Sequence, residues 1–224
     1  VSAALVAFAV PPTRREPKAE DAASGFFHEL MEGLRFIWDR RMLRAVILTV
    51  LLTNFLDAPL PVIMAVFARE AYGSAAELGL MFGVFGASAL AGALLYSAFG
   101  HRLPRRLTFL CCFTVVPTVY LVLATLPSLP VALAAIALSG LASGPINPLL
   151  ATILFEVVPT ELRGRVLGSV RAGAWASIPA GVLLGGVAIA TLGISATFLA
   201  IGLAYLAVTL YGFFNPAFRE MDNV

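Results

Sequence analysis

Six long apolar stretches, separated by short polar connections, run along the 224-residue chain. Each has the roughly 20 residues that a helix needs to cross about 30 Å of lipid hydrocarbon. None alternates apolar and polar residues as a half-buried strand would, and helices satisfy their own backbone hydrogen bonds in lipid. The pattern therefore predicts an all-α membrane protein whose six transmembrane helices cover residues 43–68, 78–99, 107–126, 131–157, 166–192 and 195–214.

The residues before the first span differ in character from the bundle. Residues 1–10 are apolar but too few to cross a membrane, so we interpret them as the tail of a preceding transmembrane span. Residues 11–41 are predicted to be a cytoplasmic linker that contains an amphipathic helix. The apolar face of that helix consists of Phe27, Leu30, Met31, Leu34 and Trp38.

Two interpretations of this linker helix stay open at the level of sequence. It lies on the inner leaflet with its arginines near lipid headgroups, or it packs on neighbouring protein. The remaining boundaries follow from the apolar pattern, with the six-span bundle at 42–214 and a cytoplasmic C-terminal tail at 215–224.

Basic residues are distributed very unevenly between the two ends of the predicted spans. Fourteen of the 15 lysines and arginines fall on one side, and only Arg69 falls on the other. Because basic connections stay in the cytoplasm, we expect a multi-pass protein of a cell inner membrane with its linker and C-terminus cytoplasmic. The composition agrees, with 60% hydrophobic and 12% charged residues and a mean hydropathy of +0.93. The net charge of +2 then reflects topology and does not indicate a nucleic-acid partner.

Three segments carry a further pattern. They are 32–38 (EGLRFIW) followed by 41–44 (RMLR), 100–106 (GHRLPRR), and Glu156 with Pro159 and the loop 161–165 (ELRGR). Together with the six spans they resemble the C-terminal half of a major facilitator superfamily transporter, similar to macrolide-efflux and siderophore-exporter-like members. The 100–106 segment is similar to the Gly- and Arg-rich cytoplasmic loop of that family but lacks its Asp. The resemblance implies a twelve-span parent chain, alternating access and proton-coupled export by an antiporter.

Asp57 is the leading candidate for a functional residue inside a span. It lies about fourteen residues into the first span, near the midplane, where a carboxylate costs about 2.5–3.5 kcal/mol to insert. Asn54 lies almost one turn earlier on a nearby face, and Pro59 and Pro61 are expected to interrupt the helix. Asp57 is therefore a candidate for proton coupling or for lining a substrate cavity. The alternative is a hydrated position near the outer mouth or a structural pair with the other half of the protein.

The fourth span repeats this arrangement with Gly144-Pro145 and Asn147-Pro148. In a bundle built from two inverted three-span repeats, the first and fourth spans occupy matching positions, so Asn147 is a second cavity candidate. Trp175 in the fifth span is a candidate for stacking on an aromatic substrate, with simple packing as the alternative.

A third set of candidates is charged and lies at the predicted cytoplasmic ends of the spans. Glu156 is within plausible reach of several arginines, and ion pairs that form in one access state and break in another would bias the equilibrium between them. Arg171 has snorkelling to headgroups as its alternative role. The predicted gating residues are Arg102, Arg105, Arg106, Glu156, Arg163, Arg165 and Arg171.

Several kinds of chemistry are not indicated by any motif in the chain. It contains no Walker A, G-x-S-x-G or H-E-x-x-H sequence, and its two cysteines and two histidines lack metal-ligand spacing, so no catalytic activity, metal or cofactor is predicted. The predicted function is that of a secondary transporter exporting a small amphipathic compound such as a drug or siderophore. Its predicted partners are the substrate, protons, lipid and the N-terminal half of the same longer chain. A transport-inactive membrane scaffold or sensor with the same bundle is the alternative.

Overall fold

The computed structural model of the chain describes residues 31–73 and 75–223. Within these ranges the backbone forms helices joined by short turns and no strand. The predictions for residues 1–10 and for the linker up to residue 30 lie outside the described residues.

The six predicted spans are confirmed as helices long and apolar enough to cross a membrane. Their apolar character extends almost from one polar connection to the next, and this is why the sequence pattern locates them closely. We number the spans one to six in chain order, and they cover Arg41–Tyr72, Ala76–Phe99, Arg105–Leu123, Leu129–Val157, Arg163–Leu192 and Ile194–Phe214.

Three of these spans are interrupted and three are continuous. A proline follows the end of the first helix in each interrupted span, because proline cannot donate a backbone hydrogen bond. The interruptions at Pro59 and Pro145 were expected, whereas that at Pro117 was not. The resulting helices are α1 (Arg41–Asp57) and α2 (Leu60–Tyr72), α3 (Ala75–Phe99), α4 (Arg105–Val115) and α5 (Thr118–Leu123), α6 (Leu129–Ser143) and α7 (Ile146–Val157), α8 (Arg163–Leu192), and α9 (Ile194–Phe214).

The carbonyl group that Pro59 leaves without its helical donor lies against a glycine of the fifth span. Pro59 has no N–H to offer the carbonyl oxygen of Phe55, one turn earlier. A Cβ atom built on Gly181 would stand 2.6 Å from that oxygen. The glycine therefore lets the two backbones approach closely, at a distance where weak Cα–H···O contacts form.

The interruption of the fourth span shows the same arrangement with the second span. Pro145 leaves the carbonyl group of Leu141 without its helical donor, and a Cβ on Gly92 would overlap the oxygen of that carbonyl and stand 2.9 Å from its carbon. All three atoms nearest to such a Cβ belong to the Leu141 backbone, so no side-chain rotation could make room. Spans two and four are thus held in direct backbone contact.

The buried core lies among the first, third, fourth and sixth spans. Phe67 of the first span meets Phe198 of the sixth edge to face, with ring centroids 5.5 Å apart. Phe109 and Tyr120 of the third span and Tyr205 of the sixth are also fully buried. The second and fifth spans contribute least, since only 11% of the apolar window of each is buried. These two spans therefore present most of their surface to whatever surrounds the bundle.

The C-terminal segment Pro216–Asn223 folds back as a 3₁₀-helix against the arginine-rich end of the bundle. Its Phe218 and Met221 side chains are buried. The backbone N–H of Arg106 donates to Asp222 Oδ1 at 3.1 Å, and Arg106 Nη2 donates to the Phe213 carbonyl oxygen at 3.0 Å. The predicted tail is thus a packed element that joins the third and sixth spans.

Residues 31–39 of the linker are helical, and two faces of this linker helix have different surroundings. One face packs on the fifth span. A Cβ on Gly33 would stand 2.7 Å from the Arg165 carbonyl oxygen, and Ile37 is buried. The other face, which we call the outer face, is exposed and consists of Met31, Leu34 and Trp38.

Candidate functional site

A cavity of about 400 Å³ lies among five of the six spans. Asp57, Asn54 and Asn147, three residues selected from the sequence, contribute to its lining. Trp175 is not among the lining residues, and its side chain is 74% exposed on the fifth span. The structure therefore brings the first and fourth spans together at this cavity as their matching positions suggested, and it does not bring Trp175 there.

Asp57 is the last residue of α1 and stands directly before the first-span interruption. Its Oδ1 atom accepts a hydrogen bond from the hydroxyl group of Tyr120 in the third span. Tyr120 is itself 1% exposed, so its ring is fixed by packing and its hydroxyl is directed at the carboxyl group. A carboxyl group held by a donor inside a membrane span is the arrangement that makes such a residue tolerable in lipid.

A second tyrosine completes a polar cluster around this carboxyl group. Tyr205 of the sixth span interacts through its hydroxyl with Asp57 and with Thr53. Thr53 Oγ1 donates to the Thr49 carbonyl oxygen at 2.9 Å, which leaves its lone pairs available. Below, the term Asp57 cluster means Asp57, Tyr120, Tyr205 and Thr53. It joins three spans by side-chain contacts at one end of the cavity.

The third-span interruption positions Tyr120 in this cluster. After Pro117 the chain resumes as α5 at Thr118, three residues from the end of α4. The buried Ser139 hydroxyl of the fourth span donates to the Val116 carbonyl oxygen at 3.0 Å. The interruption is therefore closed by a hydrogen bond from a neighbouring span, and this bond links the third and fourth spans beside the cavity.

The remaining lining is largely apolar and aromatic. Met64, Met81, Phe82, Phe85 and Phe113 supply flexible thioether and flat ring surfaces. Methionine side chains adapt to irregular shapes, and aromatic rings provide large contact areas for apolar ligands. With the exposed amides of Asn54 and Asn147 on the open side, the cavity suits a molecule that is mostly apolar and carries a few polar groups.

The two tyrosines of the cluster were not selected from the sequence. Each lies in a long apolar stretch, where tyrosine is unremarkable as a packing residue. A weak signal was available, because a buried tyrosine hydroxyl usually requires a partner and few polar side chains in these spans could serve. Choosing Asp57 as that partner, however, depends on how the third and sixth spans pack against the first.

A charged pair joins the third and fourth spans at the arginine-rich end. Arg105 Nη2 donates to Glu156 Oε1 at 3.0 Å, and Arg105 Nη1 pairs with Glu156 Oε2. Both side chains remain partly exposed, at 29% and 40%. The bidentate geometry makes the contact directional, although an exposed pair of this kind contributes only about 0–1 kcal/mol to stability. Of the arginines considered as partners for Glu156, the structure places Arg105 against it.

The other predicted gating residues have different surroundings. Arg163 donates to the carbonyl oxygens of Phe155 and Val158 at 2.7 and 3.1 Å and so closes the end of the fourth span. Arg165 forms an ion pair with Glu32 of the linker helix. Arg106 holds the C-terminal segment, as described above, while the side chains of Arg102 and Arg171 are exposed.

The fold and this site define a class of protein, namely a polytopic helical membrane bundle with a polar centre in an otherwise apolar cavity. Residues 47–223 match the family model described as Major Facilitator Superfamily, which is most of the chain. The chain therefore belongs to the major facilitator superfamily. The family resemblance of the linker and loop segments is confirmed by this match.

Curated relatives point to one branch of that family. The chain is 32% identical over 207 residues to the multidrug efflux pump Tap of Mycobacterium tuberculosis (strain ATCC 25618 / H37Rv), which covers 92% of this chain and 49% of the relative. It is also 32% identical over 193 residues to the protein of the same name from Mycolicibacterium fortuitum, covering 86% of this chain and 47% of the relative. The chain thus spans about half the length of the curated relatives it matches.

Proposed function

We propose that this chain is the C-terminal six-span half of a secondary transporter that exports a small amphipathic compound, such as a drug or a siderophore. The observation that carries the proposal is the cavity, in which one carboxyl group and two amides face methionine and phenylalanine side chains. The relatives named as multidrug efflux pumps support the same direction of transport and a drug-like substrate. A second, N-terminal half of the same longer chain would supply the opposite cavity wall.

In this proposal Asp57 couples export to protons. A carboxyl group can bind and release a proton, and the two tyrosine hydroxyls of the Asp57 cluster can donate to it when it is ionised. Displacement of the proton by substrate, or of substrate by the proton, would then link the two fluxes. Asn54 and Asn147 would orient polar groups of the substrate on the open side of the cavity.

The arginine-rich end would act as the cytoplasmic gate. Arg105 and Glu156 join two spans through exposed groups, so their contact can break and re-form at little net cost. A pair that exists in one access state only would shift the balance between states by its own contribution. The linker helix and the C-terminal segment would lie on this same cytoplasmic side.

The test is drug accumulation in cells that express the full-length protein, with and without a protonophore. The comparison is wild type against Asp57→Asn, with Asp39→Asn in the exposed part of the linker as a matched control for loss of a carboxyl group. A panel of macrolides, dyes and catecholate siderophores covers the substrate classes proposed. Equal amounts of each protein in the membrane must be verified by immunoblot.

The expected result is that wild type and Asp39→Asn exclude at least one compound, and that Asp57→Asn and the protonophore each abolish the exclusion. Exclusion that survives Asp57→Asn would refute proton coupling through this residue. Exclusion that survives the protonophore would refute coupling to protons altogether. A protein that excludes no compound of the panel would favour the alternative of a transport-inactive scaffold or sensor.

A further inference from the structure

A second concave surface lies on the outside of the bundle, between the first and sixth spans. This outer groove encloses about 740 Å³. Arg41 and Arg44 stand at its rim, at the arginine-rich end of the first span. Its walls are apolar and include Leu48, Leu52 and Val208. The groove is separate from the substrate cavity and shares no lining residue with it.

The helical periodicity shows which way the groove faces. On the first span, Leu48 and Leu52 line the groove while Val50 and Asn54 line the substrate cavity. Residues two apart on an α-helix point about 200° apart, so the groove lies on the side of the span opposite to the cavity. The cavity side is the one that a second half would face. The groove side is therefore the one that meets lipid.

The two rim arginines stand almost one turn apart and so project from neighbouring positions. Arg44 is held in place, because its Nη1 donates to the Trp38 carbonyl oxygen at 2.9 Å and its guanidinium lies 5.7 Å from the centroid of the Trp38 ring. A guanidinium has five N–H donors, so Arg44 keeps others for a ligand. Arg41 is exposed. One acidic residue, Glu220, also lines the groove, so the charged groups there sum to a net positive charge.

We propose that the outer groove binds one anionic phospholipid of the leaflet on the arginine-rich side. Its phosphate group accepts hydrogen bonds from Arg41 and Arg44, and one acyl chain runs along Leu48, Leu52 and Val208. The order of these groups along the span, charge at the membrane surface and apolar surface below it, matches the order of groups in a phospholipid. Guanidinium groups are well suited to phosphate because they donate in a planar fork.

The outer face of the linker helix extends this surface. Trp38 touches Arg44 and is 59% exposed, and Met31 and Leu34 continue the exposed apolar stripe away from the groove. Tryptophan is enriched at the level of lipid headgroups, and an apolar stripe flanked by arginines is typical of a helix lying in that layer. The bound lipid would therefore contact both the first span and the linker helix, and it would join the two.

The experiment uses the full-length protein purified in phosphatidylcholine nanodiscs. The probe is phosphatidylglycerol that carries a photoactivatable diazirine in its acyl chain, and the same diazirine in phosphatidylcholine is the control probe. After irradiation, labelled peptides are mapped by mass spectrometry. Two variants address the groove separately: Arg41→Gln/Arg44→Gln removes the headgroup contacts, and Ala207→Trp fills the groove from an exposed position on the sixth span. Arg69→Gln, at the other end of the first span, is the control for loss of charge.

The expected result is labelling of residues 48–52 and 207–211 by the phosphatidylglycerol probe, competed by unlabelled phosphatidylglycerol and not by phosphatidylcholine. An arginine near an anionic surface is worth about fivefold in association, so Arg41→Gln/Arg44→Gln should lower the labelling at least about tenfold. Ala207→Trp should abolish it, and Arg69→Gln should leave it unchanged.

Three results would overturn the proposal. Equal labelling by the two probes would mean non-selective contact with surrounding lipid. Labelling unaffected by Arg41→Gln/Arg44→Gln would mean that these arginines do not hold the headgroup. Absence of labelling at the groove in the wild-type protein would mean that another part of the protein, such as residues 1–30, or a second copy covers it.

Discussion

Replacing Gly92 by alanine tests the closest helix–helix contact in the structure. The added methyl group would overlap the carbonyl oxygen of Leu141 and stand 2.9 Å from its carbon, and both atoms belong to the backbone of the fourth span. The two spans must therefore move apart, because no rotamer change relieves the overlap. The same substitution in a helix interior with free space is expected to be neutral or slightly favourable, since alanine is the better helix former.

The size of the effect can be worked from these two contributions. Overpacking of a close contact costs about 1–3 kcal/mol. The gain in helix propensity returns up to about 1 kcal/mol, so the net loss should be about 1–2 kcal/mol. For a domain of about this size, each 1 kcal/mol lowers the melting temperature by about 2–4 °C. We therefore expect Gly92→Ala to melt several degrees below the wild-type protein.

The measurement is thermal unfolding of the full-length protein in detergent, followed by thiol-reactive dye or by intrinsic fluorescence. Gly168→Ala is the matched control, because a Cβ at that helical position meets no atom within 4 Å. It should melt at or slightly above the wild-type temperature. A melting temperature for Gly92→Ala equal to that of Gly168→Ala would refute the close backbone contact between the second and fourth spans.

Three further substitutions probe other contacts. Ser139→Ala removes the hydrogen bond to the Val116 carbonyl oxygen at 3.0 Å and should cost about 1 kcal/mol in thermal unfolding, with Ser97→Ala, whose bond is internal to one helix, unchanged. Glu156→Gln should change the free energy of unfolding by less than about 1 kcal/mol, because its partner is partly exposed. In drug-accumulation assays it should nevertheless alter export, and normal export would remove the pair from the gate. Gly33→Leu should push the linker helix off the fifth span and accelerate limited proteolysis of the linker, and an unchanged cleavage rate would contradict the packing seen there.

The number and position of the spans could be predicted because each is a long apolar run bounded by charge or proline. The interruptions at Pro59 and Pro145 were also predictable, since proline cannot complete the hydrogen bonding of a helix. The same reasoning applied equally to Pro117, which was overlooked. It was the consequence of that third interruption, the placement of Tyr120 beside Asp57, that no local rule could supply.

The candidate site was recovered in part for a similar reason. A carboxyl group within an apolar span stands out at once, and the pairing of Asn54 with Asn147 followed from the repeat symmetry of the bundle. Tyr205 gave no such signal, because its role arises from the packing of the sixth span on the first. The linker helix shows the same limit. Its period predicted an amphipathic helix, and the structure adds that Gly33 and Ile37 face protein while the outer face stays exposed.

The contact between the Leu141 carbonyl and Gly92 has a consequence for how this protein can change over time. Pro145 frees the carbonyl group, and Gly92 gives it room on another span. An Ala at position 92 is harmful while Pro145 is present, and becomes tolerable once an ordinary residue at 145 draws the carbonyl back into its own helix. The two positions should therefore show strong epistasis, with Pro145 replaced before Gly92 along any viable mutational path. Phe55 and Gly181 place Pro59 under the same order of events.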